Sequence, residues 1–381
     1  MSDYLSSPAP LSASMVIQCC GDISLDGPYC DPQHHEVLRK NMAEVAAFLG
    51  PADLRIGNWE SPLWGDGGMN LLKLPRVSTT LETARCLLPL KLDVVTLANN
   101  HAFDCREQGF RNTTEFLDQA GIRWLGAGLT PERAREPLIL DRGGVRLGLL
   151  NYIGLETNPN LPSDAGIYLN VLEEDRTCVD IRELAKAVDA VIVHLHWASA
   201  EMIRMVHPGQ RILARRMIEA GATIVFGGHA HCVQGDEACG SGHIYYSLGN
   251  FIFGRLPVEP GHAGHDWPAD SRKVGVAVCR LGRRRVDSAC WRFLVQDEML
   301  LRPDDTYRRR RLQERLSCPL ARSDGALRRA FKREILWRKL LLPGLQRVKQ
   351  SGGLIGALCA IRMRHFRWIG KMLAMRARKG R

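Results

Sequence analysis

Six residues spread between positions 22 and 231 carry side chains that ligate cations: Asp22, Glu60, Asn100, His196, His229 and His231. Imidazole, carboxylate and amide oxygen together suit Zn, Mn, Fe, Ni or Co better than Ca or Mg alone. His229 and His231 have His-x-His spacing, as do His194 and His196, and period-two alternation at a strand exit would turn both rings to one face. Glu60 or Asp22 can bridge two cations. Two cations about 3.5–4 Å apart clamp both oxygens of an in-line displacement and activate a water between them. His101, beside Asn100, is placed to protonate a leaving group, and Asp104, three residues on, to orient its imidazole. Asn58, Asn99 and Asn250 are assigned to substrate contact, with Asn99 also suited to bonding the loop backbone. His194 lies inside an apolar run and reads as a core histidine.

Each of these residues ends a short apolar run, and such runs read as strands. Met15–Cys20 stops at Gly21-Asp22, Leu54–Ile56 at Gly57-Asn58-Trp59-Glu60, and Asp93–Ala98 at Asn99-Asn100-His101. Ala190–Leu195 runs into His196, Thr223–Phe226 into Gly227-Gly228-His229-Ala230-His231, and Ile244–Leu248 into Gly249-Asn250. Between them lie helical patterns at 35–49, at 107–120 closed by Gly121, and at 208–220 opened by Pro208 and closed by Gly221. Gly143-Gly144 and Gly282 mark hairpins, the second expected at a sheet edge. Alternating β and α units with apolar strands imply sheets covered by helices. In such sheets ligands sit beyond the carboxyl ends of the strands, where these polar residues fall.

The chain of 381 residues has ordinary globular composition, with 45% apolar and 24% charged residues, which excludes a wholly disordered protein. No apolar stretch approaches the ~18 residues of a membrane span, and no secretory signal is expected. The twelve cysteines include no CxxC pair and read as free thiols in a reducing compartment; a cytoplasmic, membrane-peripheral location is expected. Net charge is uneven. Residues 301–381 hold 23 Lys+Arg against 5 Asp+Glu, a balance of 23 − 5 = +18, against +11 for the whole chain. We divide the chain into a loose 1–14, a globular 15–299 and a basic amphipathic helical extension over 300–381. That extension suits an anionic membrane or an acidic polymer; no specific nucleic acid is expected, since no nucleic-acid-binding motif is present.

Taken together, Gly21-Asp22-Ile23-Ser24, Asn58-Trp59-Glu60-Ser61-Pro62-Leu63, Leu97 to Asp104, His194 to Trp197, Gly228 to Gln234 and Tyr246 to Phe253 resemble the capsule synthesis protein CapA family. These proteins, also called poly-γ-glutamate biosynthesis proteins, look like a divergent branch of the calcineurin-like metallophosphoesterases. The resemblance implies an α/β fold, a four-layer αββα sandwich of two mixed sheets with its site at one rim. By that resemblance Asp22 is the first metal ligand, Glu60 the bridging acid, Asn100 a ligand and His101 the acid. His196, His229 and His231 complete the set. Many metallophosphoesterases have Asp-x-His in the first motif, and here the third position is Ser24. One firm divalent site (Mn, Zn or Fe) and a second weaker one are therefore expected. After His196-Trp197 the chain departs from the family pattern, leaving Glu201 as an expected substrate contact. The implied function is a metal-dependent hydrolase in capsule, poly-γ-glutamate or exopolysaccharide biosynthesis, acting on a phosphorylated or acidic polymeric substrate. The alternative is a non-catalytic polymer-binding or assembly factor within a capsule synthesis complex.

Overall fold

The computed structural model describes residues 14–198, 202–255, 267–282 and 284–342. In chain order the strands are β1 Met15–Ser24, β2 Leu54–Trp59, β3 Val94–Thr96, β4 Arg123–Leu125, β5 Ala127–Gly128, β6 Leu138–Arg142, β7 Val145–Ile153 and β8 Tyr168–Leu169. They continue with β9 Ala190–His196, β10 Ile224–Gly228, β11 Asp236–Cys239, β12 Gly242–Tyr245, β13 Asn250–Phe253, β14 Lys273–Gly282, β15 Arg285–Asp297 and β16 Leu300–Pro303.

One sheet has the order β16-β15-β14-β1-β2-β3-β4, with β13 also paired to β1; the other runs β11-β12-β10-β9-β7-β6. The β1-β2-β3-β4 and β7-β9-β10-β12 runs are parallel, and the β6-β7, β11-β12 and β14-β15-β16 pairings are antiparallel. Both sheets are therefore mixed. Strands β5 and β8 make a separate short ladder.

Side-chain alternation explains the layering. Ala190 and Ile192 of β9 join Ile17, Leu54, Ile56, Val94, Ile224 and Phe226 in a core between the two sheets. The intervening Val191, Val193 and Leu195 pack instead with Ile181 and Leu213 of helices Glu174–Ala187 and Pro208–Glu219. On the far side, Ile23 and Val95 pack under helices His35–Leu49 and Arg106–Gln119. The order is helix, sheet, sheet, helix, a four-layer sandwich. Period two places His194 and His196 on the face between the sheets, His196 at the strand's end.

Two features differ from the sequence reading. The Gly282 hairpin is not at the edge: β14 pairs with β1 in mid-sheet, and β16 forms the edge. The short Leu300–Pro303 run is hard to foresee because only four residues carry it. Nor does the chain leave the sandwich at 300. Helices Tyr307–Ser317 and Asp324–Ile335 follow, and Leu320 and Leu327 are buried in the outer core of the second sheet. Gln313 donates to the Gln234 carbonyl, Ser317 to Asp236 at 2.8 Å, and buried Arg211 to the Leu320 carbonyl at 2.6 Å. The expected extension beyond 342 lies outside the described residues. No helix among the described residues is long and apolar enough to cross a membrane.

Candidate metal centre

The carboxyl ends of β1, β2, β3, β9 and β10 meet at one rim of the sandwich. A register shift in β1 between Cys19 and Asp22 sets Asp22 opposite Asn58 of β2 and Asn250 of β13. Two glycines allow this approach. A Cβ on Gly21 would stand 1.9 Å from the Gly249 carbonyl oxygen, and one on Gly228 would stand 2.6 Å from Asp22 Oδ1. The sheets close on Asp22 only without those carbons.

Asp22, Glu60 and His196 each offer a ligand atom within 4.8 Å of the others, and all three are buried. Asn100 joins them through Oδ1, 2.8 Å from His196 Nε2. The His229 ring lies 4.8 Å from that of His196, centroid to centroid, and the His231 ring 5.6 Å from that of His229. His231 Nδ1 is 3.9 Å from Asp22 Oδ2 and 2.8 Å from Asn250 Oδ1. The six expected ligands thus converge on one rim. The route for the last pair differs from strand alternation: His229 and His231 follow the end of β10 and have φ of 74° and 52°. Left-handed backbone at a non-glycine residue costs about 1–2 kcal/mol. The strain turns both rings toward the cluster, and the His229 amide donates to Asp22 Oδ2 at 2.9 Å.

Asn58 sits differently from expectation. Its Nδ2 donates to Asp22 Oδ1 at 2.8 Å and Glu60 Oε1 at 3.0 Å, and lies 3.1 Å from His196 Nδ1. Its Oδ1 faces away, accepting from Thr96 Oγ1 at 3.1 Å and Asn99 Nδ2 at 3.3 Å. Asn99 is likewise engaged inside the protein, donating to the Trp59 carbonyl and accepting the His101 amide. Both side chains are fully committed to the rim's own framework, which corrects their assignment to substrate. Asn250 Nδ2 is buried without a hydrogen-bond partner among the described residues and stays open to one. Glu201 lies outside the described residues.

Beside the cluster, His101 Nδ1 is 2.6 Å from Asp104 Oδ2, as the orienting role requires, and His101 Nε2 is 3.8 Å from Glu60 Oε2. Sequence reasoning missed Lys73. It comes from the loop after β2 and is buried, its Nζ 3.0 Å from Asp104 Oδ1 and 2.8 Å from His101 Nδ1, and it donates to the Asn100 carbonyl. The one available signal was a lone cation in the apolar run Leu71-Leu72-Lys73-Leu74. With Asp104, the shorter contact, accepting the Nδ1 proton, the lone pair of a neutral His101 is at Nε2, the Glu60 side.

Burial governs the ionisation here. It pushes Glu60 well up, reinforced by Asp22, and raises Asp22 against the pull of His231. It drives His196 and His229 well down, with their neighbouring imidazoles adding to the effect. His101 is lowered by burial and then by Lys73. Burial opposes ionisation of Asp104, yet Lys73 and His101 outweigh it and hold its carboxyl low. His194, inside the sheet, falls to about 3 through burial, as a core histidine should. The rim therefore offers the neutral imidazoles of His196 and His229 beside a carboxylate pair. Two negative charges so close in a dry site demand a proton or a cation. Glu60 Oε2, buried with no hydrogen-bond partner among the described residues, points to where that charge belongs. The donor set fits a borderline divalent ion.

The sequence profile described as Bacterial capsule synthesis protein PGA_cap matches residues 16–255. The chain is 28% identical over 224 residues to the Capsule biosynthesis protein CapA of Bacillus anthracis, covering 55% of this chain and 52% of that one. It is 29% identical over 258 residues to the PGA biosynthesis protein CapA of Bacillus subtilis (strain 168), covering 64% and 63%. The matches thus span between about half and under two thirds of those relatives' lengths. Among solved structures, a 5'-nucleotidase precursor from Thermus thermophilus is similar at a TM-score of 0.43 and 14% identity, over 81% of this chain and 59% of that one. With the profile covering well over half of its residues, this chain belongs to the bacterial capsule synthesis protein PGA_cap family.

Proposed function

We propose that the protein is a metal-dependent hydrolase of the metallophosphoesterase type, acting in synthesis or processing of a capsule polymer, poly-γ-glutamate or an exopolysaccharide. The observation that carries this is the buried Glu60 Oε2, unpartnered among the described residues, within a cluster of imidazoles and acids. Asp22, Glu60, Asn100, His196, His229 and His231 are the residues that would hold Mn, Zn or Fe. When bound, a divalent cation supplies positive charge to a phosphoester oxygen and favours ionisation of a water. The chain's own groups do the rest. Asp104 and Lys73 fix the His101 ring, and His101 Nε2 handles a proton at the reacting end. Asn250 Nδ2 is free to donate to a substrate oxygen. The basic C-terminal segment is proposed to engage the acidic polymer, an anionic membrane or other capsule synthesis components.

The test is hydrolysis of a generic phosphoester, bis-p-nitrophenyl phosphate, by purified protein with added Mn2+. Asp22→Ala and His231→Ala should each abolish it; full turnover by both variants refutes the assignment.

A second reading, a polymer-binding assembly factor, is favoured by one observation. None of the six cluster residues is more than 7% exposed. Trp267 lies 4.7 Å from the His231 ring and packs with Phe253 and Val77. An ion can pass such a cover, but a polymer reaches the acids only if it moves. This reading expects no turnover, and binding of poly-γ-glutamate that survives Asp22→Ala.

A further inference from the structure

The Asn58 amide occupies the place where three ligand atoms converge. Asp22 Oδ1, Glu60 Oε1 and His196 Nδ1 surround its Nδ2 at 2.8, 3.0 and 3.1 Å. These residues are the same three whose ligand atoms come closest to making a cation seat. An amide nitrogen carries two hydrogens and no lone pair to give a metal. It is a donor standing in for a cation.

Its orientation is fixed by a chain of bonds outside the cluster. The Trp59 carbonyl accepts from Asn99 Nδ2 at 2.7 Å, and the His101 amide donates to Asn99 Oδ1 at 3.1 Å. With Asn99 so held, its NH2 faces Asn58, and Asn58 must answer with oxygen, which also accepts from the Thr96 hydroxyl at 3.1 Å. Flipping Asn58 to offer oxygen to a metal would set two NH2 groups against each other about where the 3.3 Å contact now lies and would leave the Thr96 hydroxyl only its longer contacts, at 3.5 Å to the Gly57 carbonyl and 3.4 Å to His194 Nδ1. In a buried site each such mismatch costs about 1–3 kcal/mol.

We propose that Asn58 limits this centre to a single divalent ion by filling the Asp22–Glu60–His196 seat with its amide. A single ion would then be held by the groups the amide does not engage, Glu60 Oε2, Asn100, His229 and His231. This rests on the cation reading above and adds to it the number of ions and the residue that sets it. Where the sequence pointed to Ser24 as the cause of a weakened second site, the geometry assigns that part to Asn58. Replacing the amide by a carboxylate converts a donor at the centre of the cluster into an acceptor with a further negative charge, the change that a second cation requires.

The experiment counts ions, not turnovers. The full 381-residue chain is stripped with chelator, titrated with Mn2+ by calorimetry, and checked by metal analysis after desalting. Wild type should take one Mn2+ per chain. Asn58→Asp should take two, with the spin-coupled EPR spectrum of a pair. Asn58→Ala, which opens the seat without adding charge, should take a second ion at higher concentration, and it serves if Asn58→Asp fails to fold by near-UV circular dichroism. A wild type that takes no ion refutes the cation reading itself, and this proposal with it. A wild type that takes one ion while the folded variants also take one refutes the role of Asn58 alone, as does a wild type that takes two.

Discussion

Replacing Lys73 with Met removes the one ammonium from a buried triad and leaves its carboxylate behind. Lys73 and Asp104 are 5% and 0% exposed, with Nζ and Oδ1 3.0 Å apart. Breaking a buried pair by removing one partner costs about 3–5 kcal/mol. His101 lies 2.6 Å from the other oxygen and can take up part of the lost charge, so we expect a loss near the lower end of that range, about 3 kcal/mol at roughly pH 8. For a domain of this size that is roughly 6 °C in Tm, taking about 2 °C per kcal/mol. The pH dependence is the sharper test. In the wild type His101 is lowered by burial and by Lys73, so the folded state resists protonation and gains nothing as pH falls past the unfolded value near about 6.5. Without Lys73 the imidazole faces Asp104 with no opposing ammonium and its pKa rises. The variant therefore binds a proton on the His101 ring as pH falls from about 8 to about 5.5, and its deficit shrinks. Urea unfolding in EDTA at the two pH values reads both quantities, and the Lys73→Met/Asp104→Asn double variant should recover much of the loss. A deficit under about 1 kcal/mol at the higher pH, or one that grows on acidification, would refute the argument that Lys73 is an essential counter-ion.

Gly228→Ala should displace Asp22, since its Cβ would lie 2.6 Å from Oδ1; we expect about 1–3 kcal/mol of destabilisation and weakened Mn2+ binding by calorimetry, and unchanged binding would show that the close approach does not matter. Asp104, Asp236 and Asp270 are all held low against the opposing effect of burial, by Lys73, by His243 and by Lys273 with Arg338. Their stabilisation is complete above the unfolded carboxyl value near about 3.9 and is lost as pH falls through their folded values, so Tm should drop steeply below about pH 4; a flat profile from about pH 5 to about pH 3 contradicts those ion pairs. Leu336, Trp337 and Leu341 are each about half exposed beside the exposed Arg328, Arg329, Lys332 and Arg333, a composition suited to an anionic bilayer surface. Trp337→Asp should weaken sedimentation with phosphatidylglycerol vesicles about tenfold, and equal sedimentation of both proteins removes this patch from membrane contact.

The candidate ligands could be read from the sequence because each ends an apolar run, and strand ends in covered sheets are where such residues meet. Asp22, Glu60, Asn100 and His196 needed only that rule. His229 and His231 were found for a reason that does not hold: alternation cannot act past the end of β10, and a left-handed backbone at two histidines does the turning. No local pattern announces such strain, since it is maintained by the Asp22 bond and the ring packing around it. Lys73 and the inward amide of Asn58 were illegible for a related cause. Which end of an amide enters a site depends on partners at positions 96 and 99, and a loop lysine becomes a counter-ion only when the fold delivers Asp104 to it. Strands β11 and β16 escaped notice because four residues carry little periodic signal, and helix Glu174–Ala187 because its apolar face is broken by Thr177 and Cys178.

The rim also shows why the site's polar framework had to be built from amides. Asp22 and Glu60 approach each other where the two sheets converge, and burial resists ionising either. A lysine in place of Asn58 would neutralise the pair outright and leave no demand for a cation. An aliphatic side chain there would leave the acids to share a proton. An amide orients the acids without removing their demand for charge: its two hydrogens are divided among three acceptors, so each is held in place and none is fully satisfied. Glu60 Oε2 is left over. A framework that orients acids while leaving one oxygen short of charge is preorganised for an incoming cation, and the same bonds that hold it ready fix the position of every other ligand before the ion arrives.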